Sequence, residues 1–239
     1  MFDKYMQSQG YERSQEDHCL YTRKLSDGSL IFLILYVDNM FIAGKSKDEI
    51  ANLKKSLSTQ FAIKDLGDAN NFLGMRIKRD RPCGILELSQ EQYVHKVSEG
   101  FSMQGGNTLS TPMQPCLKFS KDDCPKLDAE KEKMAKVPYS SIVDSLMYAM
   151  VTTRPDIAFV VGVVSCYMAN LGKKHWDAVR HLLRYLKGTM SKCLRFGNIE
   201  ASIVGYTDAN YAGCSDTWKS IFGYVFLFAG ATVSWRSIL

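Results

Sequence analysis

Asp38 is the residue in this chain best placed to do chemistry. With Asn39 it separates two apolar runs, Leu30-Ile31-Phe32-Leu33-Ile34-Leu35-Tyr36-Val37 and Met40-Phe41-Ile42-Ala43, the second closed by Gly44. Short apolar runs bounded by Gly and by turn formers suit strands better than helices. Asp and Asn tolerate left-handed turn conformations, so Asp38-Asn39 is expected at the tip of a tight, mostly buried hairpin. A carboxylate held there can ligate a hard divalent cation, the kind of ligand that metal-assisted phosphoryl transfer requires. Most apolar hairpins with an acid at the turn are only structural, so this stretch alone does not decide between the two.

Two further sets of residues carry chemical potential. Ile203-Val204-Gly205-Tyr206-Thr207-Asp208 reads as a strand ending on an acid. The second set is basic. Arg76 and Lys78 alternate with Met75 and Ile77, as in a half-exposed strand with a basic outer face. Lys173, Arg180, Arg184 and Lys187 fall at successive offsets of seven, four and three. On a helix they form one stripe beside the apolar face of Trp176, Val179, Leu183 and Leu186. Between Lys173 and Arg195 there are seven Lys or Arg and one acid, Asp177. Such a stripe suits a phosphate backbone, although a solvated amphipathic helix looks the same.

The elements that must position these groups follow from periodicity and punctuation. Phe2, Tyr5 and Met6 have helical spacing, and Gly10 ends that helix. Strands at 18–44, turned by Ser26-Asp27-Gly28-Ser29, form a small antiparallel meander. Ser46-Lys47-Asp48-Glu49 is a capping box opening a helix with Ile50, Leu53 and Leu57 on the face that packs beneath the hairpin. Pro82-Cys83-Gly84 turns the Met75–Asp80 strand into a partner at Ile85–Leu88. Ser89-Gln90-Glu91-Gln92 is a second capping box, opening a helix with Tyr93, Val94, Val97 and Phe101. From Gly105 to Pro138 periodicity breaks down, as in a linker or long loop. Helices return at Tyr139–Thr152 and, after Thr153-Arg154-Pro155-Asp156, at Ile157–Met168; the Lys173–Lys187 helix follows. Strands are expected at 223–228 and 232–235. His175 and His181 are expected on a helix surface, and Trp176 and Trp235 in the core.

Composition bounds the rest. The 239 residues carry a net charge of +5, too mild to identify a polyanionic partner by itself. Seven scattered cysteines include no Cys-x-x-Cys pair, so neither a zinc site nor a disulfide framework is indicated. No uncharged apolar run could span a bilayer and Met1-Phe2-Asp3-Lys4-Tyr5 is no secretory leader, so an intracellular setting, cytoplasmic or nuclear, is expected.

Taken together, the motifs resemble the Pol polyprotein of copia-type LTR retrotransposons, in order and over essentially the whole chain. They include Asp17-His18-Cys19-Leu20-Tyr21, Leu35-Tyr36-Val37-Asp38-Asn39-Met40, Lys64-Asp65-Leu66-Gly67 and Phe72-Leu73-Gly74-Met75. Ser110-Thr111-Pro112, Pro138-Tyr139-Ser140-Ser141, Thr153-Arg154-Pro155-Asp156-Ile157, His175-Trp176, Leu183-Arg184-Tyr185-Leu186-Lys187-Gly188-Thr189 and Gly205-Tyr206-Thr207-Asp208-Ala209 continue the series. Tyr36-Val37-Asp38-Asn39 resembles the Tyr-Val-Asp-Asp box of reverse transcriptases with Asn39 in place of the second Asp.

The resemblance implies an α+β fold: an antiparallel palm-type sheet with packed helices, a helical thumb and connection, then the first strands of an RNase H-like domain. It divides the chain into a partial palm with primer-contacting hairpin and first thumb helix (1–104), a linker (105–138), a helical thumb and connection (139–196) and the start of the nuclease domain (197–239). It implies Asp38 and Asp208 as metal-binding carboxylates, Mg²⁺ or Mn²⁺ as cofactor, and an RNA or DNA primer-template as partner, met by Arg76, Lys78, Lys173, Arg180, Arg184 and Lys187. It also implies that the remaining carboxylates of both sites lie outside these residues. Asn39 offers only a neutral amide, a poorer ligand for a hard cation. The chain is therefore expected to be catalytically inactive alone. The alternatives are a non-enzymatic nucleic-acid-binding remnant and a self-associating interaction protein that pairs through open sheet edges.

Overall fold

The computed structural model describes residues 1–101, 107–115, 117–197, 202–214 and 216–238. The Gly105-Gly106 pair at the start of the expected linker and Cys116, one of the seven cysteines, lie outside them. The chain is α+β, with antiparallel sheets, and it divides into two compact units, Met1–Phe72 and Leu73–Leu239. Among the described residues no helix is long and apolar enough to cross a membrane.

The first unit opens with helix α1 (Phe2–Ser8), ended by Gly10 at a φ of 78°, where a side chain would be strained. An antiparallel meander follows: β1 (Glu12–Arg13), β2 (Leu20–Lys24), β3 (Leu30–Tyr36) and β4 (Asn39–Gly44), hydrogen-bonded in that order. Asp27 accepts hydrogen bonds from the Ser29 amide and hydroxyl, fixing the β2–β3 turn. Helix α2 (Lys47–Gln60) and the short β5 (Asn71–Phe72) complete the unit. Its core joins Met6 of α1, Tyr21 of β2, Ile31 and Leu33 of β3, and Leu53 and Leu57 of α2, so α2 packs against the sheet as expected. The α2 capping box forms only in part. The Glu49 amide donates to the Ser46 hydroxyl at 3.3 Å, but the Glu49 carboxylate pairs with Arg23 of β2, tying the helix start to the sheet.

The second unit begins with β6 (Met75–Asp80) and β7 (Ile85–Ser89), paired through the four-residue turn that ends at Gly84. Much later in the sequence β8 (Cys193–Phe196) adds to β7. Between them lie α3 (Glu91–Gly100), α4 (Asp128–Ala135), α5 (Tyr139–Thr152), α6 (Ala158–Ser165) and α7 (Lys173–Gly188). Helix α4 falls inside the stretch expected as a linker. The core of this unit is helical, with Val94 of α3, Ile142 and Leu146 of α5, Val160 and Val164 of α6 and Leu182 and Leu183 of α7 all buried. Helix α6 is short and nearly all apolar, and it follows a single 3₁₀ turn at Pro155–Ile157. The second capping box does not form. Ser89 remains in β7, and the N-cap residue of α3, Gln90, is buried and turns its amide oxygen to accept from the Thr153 hydroxyl at 2.7 Å.

Arg154 is the keystone of this core. Only 2% exposed, it donates from Nε and NH2 to both carboxylate oxygens of Asp156 (2.9 and 2.8 Å) and from NH1 and NH2 to the Thr189 carbonyl and hydroxyl. The Tyr185 hydroxyl also donates to Asp156, at 2.6 Å. The start of α6 is thereby bolted to the end of α7. Burial pushes the Asp156 carboxyl up, but the hydrogen bonds from Arg154 and Tyr185 outweigh it and hold the group below the usual carboxylate range. The unit ends in a separate antiparallel sheet, β9 (Ile203–Ala209), β10 (Phe222–Phe228) and β11 (Ala231–Ile238), in the order β11-β10-β9.

Candidate active site and nucleic-acid interface

The 30–44 hairpin is present, and its turn is shifted by one residue from the expected tip. Tyr36 pairs with Asn39, so the two loop residues are Val37 and Asp38, and Asn39 opens β4. Val37 has a φ of 55°. A β-branched side chain rarely adopts that region, and holding it there costs on the order of 1–3 kcal/mol. Its side chain contributes no compensating burial, being 83% exposed. The hairpin is also half-buried rather than mostly buried. Ile31 and Leu33 point into the core, while Leu30, Phe32 and Tyr36 are exposed. The continuous apolar run of β3 thus conceals a period-two alternation. Asp38 stands exposed at the tip, and Asn39 lies opposite Tyr36 on the face turned away from the core.

Asp208 lies on β9, exposed, with Gly223 as its register partner. The nearby Asp216 is already engaged: its carboxylate accepts from the Lys121 amide at 2.9 Å and the Tyr167 hydroxyl at 3.1 Å. Among the described residues no group of three or more His, Cys, Asp or Glu side chains comes together in a way that could hold a metal ion. Asp38 and Asp208 belong to different units, and each offers one carboxylate. The residues present therefore do not fit a complete two-metal site, which needs several converging carboxylates.

The basic residues divide by element. Arg76 and Lys78 project from the same exposed face of β6. Lys78 and Arg195 each approach Glu87, at 3.6 Å, so a row runs Lys78–Glu87–Arg195 across β6, β7 and β8. Such exposed pairs contribute little to stability and leave the cations available to a ligand. On α7 the stripe is continuous, but its parts are used differently. Lys173 and Arg180 are exposed, the latter 3.7 Å from Asp177. Arg184 is half-buried and donates to the Asn107 carbonyl at 2.6 Å, while Lys187 is half-buried. The loop containing Asn107 continues along α7: the Leu109 amide donates to the Arg184 carbonyl, and His181 Nε2 lies 2.9 Å from the Thr111 carbonyl oxygen. Gly188 permits this approach, since a Cβ there would come within 2.9 Å of Thr108. Beside this loop a cleft of about 1090 Å³ is lined by Lys133, Lys173, Arg180 and Arg184 together with Asp122 and Asp177.

His175 is not on the helix surface. It is fully buried, stacked on Tyr167 with ring centroids 4.0 Å apart, and its Nδ1 accepts from the Gly172 amide at 3.0 Å. Burial lowers its pKa, so the neutral ring is favoured. Trp176 and Trp235 are only half-buried; Trp235 Nε1 donates to the Met150 carbonyl at 2.9 Å. Two features went unread in the sequence. Counting back from a two-residue loop points to Val37 as the strained residue, and the Arg154-x-Asp156 spacing reads locally as a helix start, with nothing in it that names Thr189 or Tyr185 as partners.

Residues 1–115 match the family model of reverse transcriptase (RNA-dependent DNA polymerase). Over 238 residues, all of this chain, the sequence is 52% identical to the "Retrovirus-related Pol polyprotein from transposon TNT 1-94" of Nicotiana tabacum, of which the chain spans 18%. It is 31% identical over 229 residues to a putative transposon Ty5-1 protein of Saccharomyces cerevisiae, covering 95% of this chain and 72% of that protein. It is also 31% identical over 208 residues to an uncharacterized mitochondrial protein of Arabidopsis thaliana, covering 87% of this chain and 82% of that one. No solved structure matches the chain. With the reverse-transcriptase match at its start and transposon Pol relatives along its whole length, this chain belongs to the family of copia-type LTR retrotransposon Pol polyproteins.

Proposed function

We propose that this chain is the Pol segment that carries the catalytic hairpin of a reverse-transcriptase palm, a helical thumb and connection, and the first strands of an RNase H-like domain. In this reading it holds a primer-template without extending it unaided. The supporting observation is the Tyr36-Val37-Asp38-Asn39 hairpin, whose two-residue turn presents one exposed carboxylate beside an amide. Mg²⁺ or Mn²⁺ is the cofactor this family membership suggests, and Asp38 and Asp208 are the residues that would contribute to holding it. Among the described residues neither has the company of acids that two-metal catalysis requires, which supports a reading in which this chain alone binds without catalysing. The binding surface comprises Arg76 and Lys78 on β6 and the exposed part of the α7 stripe.

Primer extension on an RNA template with Mg²⁺ or Mn²⁺, comparing the chain with Asn39→Asp, tests the catalytic half. Silence from both is expected, and incorporation by the unaltered chain refutes it. Fluorescence anisotropy with a primer-template duplex tests the other half. Affinity should fall steeply with salt and depend little on sequence, and Arg76→Ala or Lys78→Ala should each reduce the log–log salt slope by about one. Binding indifferent to salt would sink this reading.

A further inference from the structure

His175 is a titratable group buried away from the exposed cations of α7. Its side chain has no exposure at the start of that helix, and three segments meet on it. Phe119, from the 117–124 strap, packs on its ring at a centroid distance of 5.4 Å. Tyr167, from the turn after α6, stacks on it at 4.0 Å and 13°. Gly172 donates its backbone amide to Nδ1 at 3.0 Å. Gly172 also lets the strap come down on the helix start, since a Cβ there would lie 1.9 Å from the Asp123 carbonyl oxygen. Lys174 ties the strap to α7, its Nζ donating to the two Asp123 carboxylate oxygens at 3.1 and 3.0 Å.

This pocket accepts one form of the ring. With Nδ1 as acceptor, the neutral imidazole carries its proton on Nε2. Nε2 is buried and has no hydrogen-bond partner among the described residues. A second proton can go only to Nδ1, where it would face the Gly172 N–H, donor against donor. Both N–H groups of a buried imidazolium would then be unsatisfied, and a buried charge in that position is neutralised or expelled. The charged groups facing the ring are already engaged. Asp123 accepts from Lys174 and the Ser120 amide, and Asp216, in the loop after β9, accepts from the Lys121 amide and the Tyr167 hydroxyl. Lys174 repels a second cation, and burial together with Asp216 keeps the Tyr167 phenol neutral. Burial lowers the His175 pKa, and the pull of Asp123 and Asp216 in the other direction does not offset it.

We propose that His175 is an acid-released latch on the 117–124 strap. A solvent proton takes Nδ1, the Gly172 amide loses its acceptor, and the ring and the strap leave the start of α7 together while the helices beneath stay folded. The open state binds a proton that the closed state refuses. Closure is therefore complete above the ordinary imidazole value of about 6.5 and is lost as pH falls below it. The closed-to-open ratio falls about tenfold per pH unit until the lowered folded value is reached. Burial pushes the Asp123 carboxyl up, but the hydrogen bonds from Lys174 and the Ser120 amide outweigh it and hold it below the usual carboxylate range. Asp123 thus stays charged across this window and is not the trigger. Opening also parts Asp123 from Lys174, which adds a cation to the surface of α7.

Hydrogen exchange of the full chain without nucleic acid tests the latch independently of any primer-template binding. It is run about one pH unit above and one below 6.5, with the intrinsic pH dependence of exchange divided out. Peptides from the strap should lose about tenfold in protection in acid, and those from α5 and α6 should not change. His175→Asn can still accept from the Gly172 amide, and His175→Phe keeps the ring packing; each should remove the acid step. Nitrogen NMR of the imidazoles in the unaltered chain needs no variant, and decides the matter if neither variant folds. There His175 should hold the Nε2–H form and gain its second proton in step with the loss of strap protection. A strap that stays protected in acid overturns the proposal, as does an acid step that persists in both variants. So does a His175 that becomes doubly protonated while the strap remains closed.

Discussion

Replacing the buried Arg154 by Met removes the donor of four hydrogen bonds. Asp156 is left with Tyr185 as its hydrogen-bond donor, and the Thr189 carbonyl loses the Arg154 NH1 donor. Removing one partner of a buried, hydrogen-bonded ion pair costs about 3–5 kcal/mol. Asp156 keeps 28% of its side-chain surface, so the lower end, about 3 kcal/mol, applies. For a unit of this size each kcal/mol moves the melting midpoint by roughly 2–4 °C, so a fall of roughly 6–12 °C is expected. Trp176, Trp218 and Trp235 all lie in the second unit, so tryptophan fluorescence during urea unfolding reports on that unit alone. Arg154→Met combined with Asp156→Leu should recover part of the loss, because the orphaned charge is removed with its partner. The pH dependence has a definite sign. The folded-state pKa of Asp156 is depressed, so its contribution is complete above the unfolded value of about 3.9 and is lost as pH falls through the folded value. The gap between Arg154→Met and the unaltered chain should narrow in acid. A single variant within about 1 kcal/mol of the parent, or a double variant no better than the single, would refute the assignment of this network as a keystone.

Val37→Gly relieves the left-handed turn residue at the cost of extra freedom in the unfolded chain, and should stabilise the first unit by roughly 0.5–1 kcal/mol in urea unfolding followed by circular dichroism. Leu33→Ala, at a position with no exposure, should cost that unit about 3 kcal/mol and leave the tryptophan transition of the second unit in place. Burial raises the Tyr167 phenol pKa, and the Asp216 carboxylate that accepts its proton raises it further. Asp216→Asn should therefore bring the phenol closer to the ordinary tyrosine range, as read by ultraviolet absorbance during alkaline titration.

Local patterning made much of this architecture readable. Helix α5 begins and ends where its apolar spacing does, and the Met75–Lys78 alternation foretells the exposure pattern of β6. The resemblance motifs identified the family because many weak signals recur in a fixed order. What remained hidden depends on residues far apart in sequence. The hairpin tip was assigned by intrinsic preference, which favours Asp and Asn over Val in a left-handed turn. The cross-strand pairing of Tyr36 with Asn39 decides otherwise. His175 lies among lysines on a basic helix, and the rings of Tyr167 and Phe119, brought in by other segments, pack against it in the core. Gln90 is diverted from capping by Thr153, 63 positions away. Glu49 is diverted by Arg23 in the same way, because a charged partner outcompetes a backbone amide.

The addition of β8 to β7 governs the order in which the second unit can assemble. Leu86 pairs with Phe196, and Ser89 with Cys193, across the whole intervening helical region. The sheet of the first unit consists of sequential hairpins, contacts that form early and locally. By contrast, β7 emerges from the ribosome long before its outer partner exists. The loop-closure entropy of that late pairing is met only after the helices between have condensed. Until then β7 offers a free edge on the side that β8 will cover. During synthesis the nascent second unit is therefore exposed at this edge to strand exchange with a neighbouring chain.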